Sequence, residues 1–279
     1  MARVNLEAVR RRLGSAIIGK PQGPDPAPRQ IGPASTSAPG SRRVEDGFFD
    51  RFAGFLETSE TSSYRWRLNL RHEAIFTENR DLFAGARVLD IASHDGRWSM
   101  AALEAGAAHV TGVEARPDLV ANAEASLRAY GVDESRWRFV SGDIFEVLRD
   151  EQVEVDVVLC LGFLYHTLRH SELLARVRQT GAKHLVVDTE IHRSEAPVMW
   201  LDEETIERQG NAVADELSVG DVVLTGRPSL SALEMLGRGQ GFAMQGLSDW
   251  GGLLRDNPDA DQVRDYRIGR RITCRLDRT

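Results

Sequence analysis

Cysteine is nearly absent: the 279 residues hold two, Cys160 and Cys274. Two thiols make no disulfide framework, and Cys160 lies in the apolar run VDVVLCLG, where a thiol behaves as a small hydrophobe. No run of eighteen or more apolar residues occurs, so no membrane span is expected. The first residues include several arginines but neither an apolar core segment nor a small-residue cleavage site. That pattern is not a secretory signal, and a cytoplasmic protein is expected. Also missing is G-x-G-x-x-G, whose glycines let backbone approach a pyrophosphate closely. A dinucleotide enzyme is therefore disfavoured.

The charge that is present is unevenly spread. Residues 1–43 carry eight Lys/Arg against two Asp/Glu, so a net charge of -7 for the whole chain leaves -13 for the remainder. An acidic body lacks the basic face that neutralises phosphates, which weighs against a nucleic-acid substrate. At 42% hydrophobic and 28% charged, the chain can bury one large core. We expect one catalytic domain with appendages, and the oligomeric state is left open.

Residues 21–41 contain six of the ten prolines and no apolar period, which reads as a flexible linker. Ahead of it, Val4, Leu6, Val9, Leu13 and Ile17 recur at roughly helical spacing beside Arg10, Arg11 and Arg12. The segment 1–43 is thus expected to be a basic, flexible extension that the chemistry does not need. Residues 44–84 have a helical pattern and are read as an N-terminal cap.

From residue 85 the rhythm is strand, turn and helix. ARVLDI, HVTGVE, WRFVSGD, VDVVLCLG and HLVVDTEI read as strands, with helices in GRWSMAALEAGA, RPDLVANAEASLRAYGV and SELLARVRQTG. After a long polar insertion at about 191–228, expected to be a lid, come the helix PSLSALEMLGRGQG and the strands FAMQGL and YRIGRRITCRL. Gly269, inside the last of these, is expected to mark a bulge. Strands alternating with helices of this length predict an α/β fold: a doubly wound, mostly parallel seven-stranded sheet with an N-terminal helical extension and a lid insertion. In such sheets ligands sit outside the carboxyl ends of the strands, where this chain places Asp90, Glu114, Asp143 and Gly162.

Glu114, 24 residues beyond Asp90, is placed to accept hydrogen bonds from ribose hydroxyls. Asp143 in SGDIF is placed to accept from an adenine amino group, with the Ile144 N–H donating to the ring. Asp90 would repel a phosphate but suits a sulfonium or ammonium group.

VLDIASHDG, TGVE, SGDIF and VVLCLGFLYH, in that order, resemble the successive motifs of the class I S-adenosylmethionine-dependent methyltransferases over residues 85–190. The family's Rossmann-like methyltransferase fold is implied. LYH after the fourth strand and VVDTEI at the fifth are also similar to the tRNA wobble-uridine carboxymethyltransferases and their small-molecule relatives. The resemblance implies S-adenosyl-L-methionine as cofactor, held by Asp90, Gly96, Glu114, Asp143 and Ile144, with Ala92 and Gly162 at the same strand ends. Ala92 and His94 stand where that group usually has glycine.

Tyr165 and His166 directly follow the fourth strand, beside the expected methyl group, and histidine is the usual base near neutral pH. They are the candidate catalytic residues, His94 being a weaker rival. Trp66, Arg67, Glu190 and His192 are the candidate acceptor-binding residues. Asp188, Glu190 and His192 would share one strand face and could in principle hold a cation, but solvated charges are the commoner outcome and no metal is assigned. The expected reaction is O-methylation of a small metabolite. The rivals are a tRNA-modifying (carboxy)methyltransferase and a non-catalytic cofactor-binding module.

Overall fold

A parallel sheet covered on both faces has no solvent side, so its inner strands are buried at nearly every position. In the computed structural model, which describes residues 44, 46–58, 64–207 and 210–279, the parallel strands are β1 (Arg87–Ile91), β2 (His109–Glu114), β3 (Trp137–Ser141), β4 (Val157–Leu161) and β5 (His184–Glu190). Then follow β6 (Met199–Thr205) and β7 (Val222–Pro228), which pair only with each other, and β8 (Phe242–Leu247) and β9 (Arg271–Arg278). The main sheet has the order β3-β2-β1-β4-β5-β9-β8, with the first five strands parallel and β9 antiparallel to both neighbours. This is the expected doubly wound, mostly parallel seven-stranded sheet. The amphipathic segment at 4–17 and the Pro-rich linker lie outside the described residues.

The helices are α1 (Phe48–Arg51), α2 (Gly54–Glu57), α3 (Arg65–His72), α4 (Arg97–Glu104), α5 (Pro117–Ala129), α6 (Ile144–Asp150), α7 (His170–Gln179), α8 (Leu230–Gly239), α9 (Trp250–Asp256) and α10 (Arg264–Arg267). Alternate strand residues serve opposite layers. Val88, Leu159 and Val186 pack with Phe49, Phe55, Leu68 and Trp98, so the helices ahead of β1 are part of the core on that face. Leu89, Val158, Cys160 and Val187 pack with α6, α7 and α8 on the other face. Both cysteines are buried and free, and burial pushes both thiols up, that of Cys160 to about 12, so they act as hydrophobes as their setting predicts. α5 starts with Pro117 at its first position and buries Leu119, Ala123 and Leu127, while Val120 is only half-buried. Among the described residues, no helix is long and apolar enough to cross a membrane.

One sequence expectation for the chain's end needs correction. Gly269 is not a bulge within a strand: YRI belongs to α10 and the turn after it, and Gly269, at φ +67°, reverses the chain into β9. The bulge lies instead in β8, where the register shifts between Met244 and Gly246. Within the polar insertion expected to be a lid, β6 and β7 form an antiparallel hairpin with seven residues in each strand.

Candidate active site

Strand order reverses between β1 and β4, and the carboxyl ends splay there into a cavity of about 380 Å³. Its walls include Ala92, Glu114, Asp143, Ile144, Gly162, Tyr165 and His166, all singled out from the sequence. Of the acceptor candidates, Arg67 and Glu190 also border it.

On the β2–β3 side of β1 the wall is acidic. Glu114 is buried, and its two carboxylate oxygens accept from the His94 N–H (3.0 Å) and the Arg116 N–H (3.0 Å). One N–H per oxygen orients the carboxylate and leaves a lone pair on each for a ligand hydroxyl. Asp143 caps α6: its Oδ1 accepts from the Phe145 N–H (2.7 Å) and the Glu146 N–H (3.2 Å). Oδ2 of Asp143 has no protein partner among the described residues. The N–H of Ile144, first residue of the helix, has no carbonyl within the helix to bond.

The turn after β1 shows how the chain manages without glycine there. Ala92 and His94 both adopt left-handed backbone, φ +54° and +53°. Each costs on the order of 1 kcal/mol relative to glycine. Packing holds the conformation: Asp95 is buried against Arg97 (Nε to Oδ1 2.7 Å, a second guanidinium nitrogen to Oδ2 2.7 Å), and Thr58 donates to it at 2.8 Å. Burial would raise the Asp95 carboxyl, but the Arg97 guanidinium and the His94 contact hold it at about 2.

Asp90 and Gly96, assigned to the cofactor from sequence, do not line the cavity. Asp90 is buried within the core, where its Oδ2 accepts from the Ser99 hydroxyl of α4 at 2.7 Å. Gly96 faces α5: a Cβ built on it would lie 2.9 Å from the Ala123 Cβ, so it permits close packing, and its φ of +79° favours glycine besides. Burial raises the Asp90 carboxyl from 3.8 to about 7, Ser99 opposing the rise and the Glu114 charge adding to it. A carboxyl that binds its proton more tightly when folded stabilises the fold below about pH 4 and loses that contribution as pH rises towards about 7. Asp90→Asn keeps an acceptor for Ser99 and carries no charge. It should therefore be more stable than the parent at pH 8, on the order of 1–3 kcal/mol, with the gain shrinking at about pH 5. Thermal melts at the two pH values check this; a gain equal at both would rule out Asp90 ionisation as its source.

On the β4–β5–β9 side the wall carries the candidate base. A single helical turn, Leu164–His166, follows β4 and seats Tyr165 and His166 on the cavity, their rings 4.1 Å apart. Nδ1 of His166 lies 2.7 Å from Oε2 of Glu204, a residue of β6 that sequence reasoning passed over. Nε2 of His166 has no protein partner among the described residues. The hairpin is latched elsewhere too: Arg116 donates to the Asn211 carbonyl at 2.9 Å, Arg169 meets Asp215 and Glu216 at 3.4 and 2.8 Å, and Arg227 of β7 donates to Glu190 at 2.8 Å.

Trp66 and His192 are not brought to the cavity. Neighbours on a helix point about 100° apart, so when α3 turns Arg67 inward, Trp66 packs instead against the cluster of Leu70, Trp250 and Tyr266. His192 lies past the end of β5, where strand alternation stops; its ring stacks on Trp200 at 5.3 Å and its Nδ1 accepts from the Ser194 N–H. The trio with Asp188 and Glu190 is thereby broken. Glu190 accepts from Arg227 and Arg270 at 2.8 Å each, and Asp188 is enclosed by arginines. Among the described residues no group of three or more His, Cys, Asp or Glu is placed to hold a metal.

Residues 88–183 match a family model described as a methyltransferase domain. No curated protein matches the chain. Among solved structures, the chain is similar to an S-adenosylmethionine dependent methyltransferase from Mesorhizobium loti (TM-score 0.52, 16% identity, 75% of this chain and 100% of that one). It is also similar to magnesium protoporphyrin IX methyltransferase from Synechocystis, solved with bound S-adenosylhomocysteine (TM-score 0.51, 14% identity, 83% and 94%). A third likeness is to a putative S-adenosylmethionine dependent methyltransferase from Listeria monocytogenes (TM-score 0.51, 14% identity, 75% and 99%). Identities this low speak for a shared fold alone: the seven-stranded sheet has the Rossmann-like methyltransferase fold, and residues 88–183 within it match the methyltransferase-domain model.

Proposed function

We propose that the chain transfers a methyl group from S-adenosyl-L-methionine to a hydroxyl of a small metabolite. The observation that carries this reading is the His166–Glu204 pair, which leaves Nε2 of His166 open on a cavity whose other end presents Glu114 and Asp143. The residues of that other end fit an adenosine-bearing cofactor. Glu114 offers one free lone pair per oxygen to a ribose diol, Oδ2 of Asp143 an acceptor to an exocyclic amine, and the Ile144 N–H a donor to the ring. Ala92 adds only a methyl group to the wall, and no phosphate-binding glycine pattern stands there. Bound there, S-adenosylmethionine supplies an electrophilic methyl on a cationic sulfur.

The chain's own part is alignment and proton removal. Glu204 holds His166 through Nδ1, which fixes Nε2 as the acceptor, the role that the carboxylate plays in other histidine-centred sites. Nε2 takes the hydroxyl proton as the oxygen attacks, and the His166–Glu204 pair then carries the charge. The hairpin of β6 and β7 covers the reaction and limits water. An anionic body favours a metabolite over a polynucleotide.

The test begins with calorimetry. S-adenosylhomocysteine should bind and raise the melting temperature, whereas NADH should do neither. Glu114→Ala should weaken that binding by roughly 2–3 kcal/mol with the circular dichroism unchanged, since a charged acceptor is lost. Parent-like affinity in this variant would remove Glu114 from the site. A radiolabelled methyl assay against a metabolite pool and a tRNA pool then decides the acceptor class; label in tRNA alone would overturn the small-molecule reading.

A further inference from the structure

The arginines of the β5–β9 side outnumber the carboxylates that answer them. Asp188, fully buried on β5, accepts four hydrogen bonds: from Arg71 (3.1 Å) and Arg271 Nε (2.6 Å) on Oδ1, and from Tyr266 and Thr273 hydroxyls (2.7 Å each) on Oδ2. The two guanidinium groups hold its carboxyl well below the usual range, so it carries one full charge against their two. Arg67, the third arginine of this wall, already has a carboxylate of its own in a two-pronged pair with Asp265 (2.6 and 2.7 Å). One positive charge is left over, in a place where a lone buried cation costs several kcal/mol.

The unanswered donors can be named. Arg71 and Arg271 are buried and both line the cavity. Arg71 has an Nε with no partner. Arg271 spends Nε on Asp188, makes one long contact from a terminal nitrogen to the Tyr165 hydroxyl (3.4 Å), and keeps its other terminal nitrogen unbonded beside Gly162. A Cβ at position 162 would lie 3.3 Å from that nitrogen, so the glycine keeps the guanidinium reachable from the cavity.

We infer that this corner is a carboxylate-binding subsite, and that the methyl acceptor is a hydroxylated organic acid whose carboxylate is gripped by Arg271 and the Tyr165 hydroxyl while its hydroxyl faces His166. The inference rests on the methyl-transfer reading given above. A planar guanidinium fork recognises a carboxylate at two points, which a single ammonium cannot do. Strand order fixes which ligand brings the acid. Glu114 ends β2 and Asp143 follows β3, to one side of β1, whereas Tyr165 lies in the turn after β4 and Asp188 and Arg271 stand on β5 and β9, to the other. The Tyr165–His166 turn places base and anchor within one residue of each other.

The experiment uses the full chain saturated with S-adenosylhomocysteine, titrated with benzoate, salicylate and lactate and with benzamide, salicylamide and lactamide. At least one acid should bind about tenfold or more tightly than its amide. In Arg271→Lys, which keeps a charge beside Asp188, that preference should vanish while affinity for S-adenosylhomocysteine stays as in the parent. Equal binding of every acid and its amide overturns the proposal. So does an Arg271→Lys variant that loses S-adenosylhomocysteine in step with the acids, because the anchored carboxylate would then be the cofactor's own. Failure of the parent to bind S-adenosylhomocysteine at all would sink the methyl-transfer reading instead, and the acid–amide comparison on the unliganded chain still reads the subsite.

Discussion

Turnover of His166→Ala is expected to fall roughly 10²- to 10⁴-fold, the usual worth of a positioned general base, with S-adenosylhomocysteine affinity unchanged. The parent's pH–rate profile should rise on its acidic side, and the mutant should lose that limb. Glu204→Gln is the sharper control. An amide whose NH2 takes the place of Oε2 can hold the imidazole by its other tautomer, with the proton on Nε2 and the base blocked, while the Ala212 N–H loses the acceptor it shares there. A rate loss in Glu204→Gln approaching that of His166→Ala, in a protein that still folds by circular dichroism, identifies the pair as acting together. If His166→Ala turns over like the parent and only melts earlier, the histidine is structural and the acceptor loses its proton elsewhere.

The largest stability effect is expected at Asp188. Asp188→Asn removes the charge that lies between Arg71 and Arg271 and leaves two buried guanidinium groups facing an amide. Breaking a buried pair in this way costs about 3–5 kcal/mol, or roughly 10 °C or more in melting temperature for a chain of this size. The sign with pH follows from the depressed carboxyl. Asp188 contributes its full stability above the ordinary carboxylate range, and the parent should lose that contribution only in strong acid, as pH falls through the depressed value. Asp188→Asn should be destabilised by the same amount at pH 6 and pH 8. Chemical denaturation of the two proteins at those pH values checks it, and a loss below about 1 kcal/mol would mean that solvent reaches the cluster.

What the sequence could reveal followed from local rules. Short apolar runs alternating with amphipathic stretches fixed the seven strands, and the polar residues at their carboxyl ends marked the cavity before its shape was known. Glu114, Asp143, Tyr165 and His166 were legible because strand-end position alone puts them there. Asp90 misled for the same reason: it sits one residue before the strand ends, so its side chain turns into the core and bonds Ser99. Trp66 and Arg67 are adjacent in an aromatic and basic stretch, and residue type named the pair without saying which would face inward. Glu204 could not have been found, since it lies in a run of four acids, DEE and Glu207 beyond, distinguished only by a contact 38 residues away in sequence. Arg71 and Arg271 were invisible as a pair because 200 residues separate them and only Asp188 brings them together.

The hairpin of β6 and β7 bears on when the base exists at all. A two-stranded ribbon is marginal in water by itself, and this one pairs with no strand of the main sheet. Beside the buried face of β7, where Val223, Thr225 and Pro228 lie, its hold on the body comes from polar latches, of which Glu204 on His166 is one. Local opening of such an element costs less than global unfolding, and in an undocked ribbon Nδ1 of His166 would have no carboxylate partner. On the methyl-transfer proposal, the competent enzyme would then be a fraction of the folded enzyme, and an acceptor that favours the docked ribbon would raise that fraction as it binds. Acceptor selection and assembly of the base would become one equilibrium.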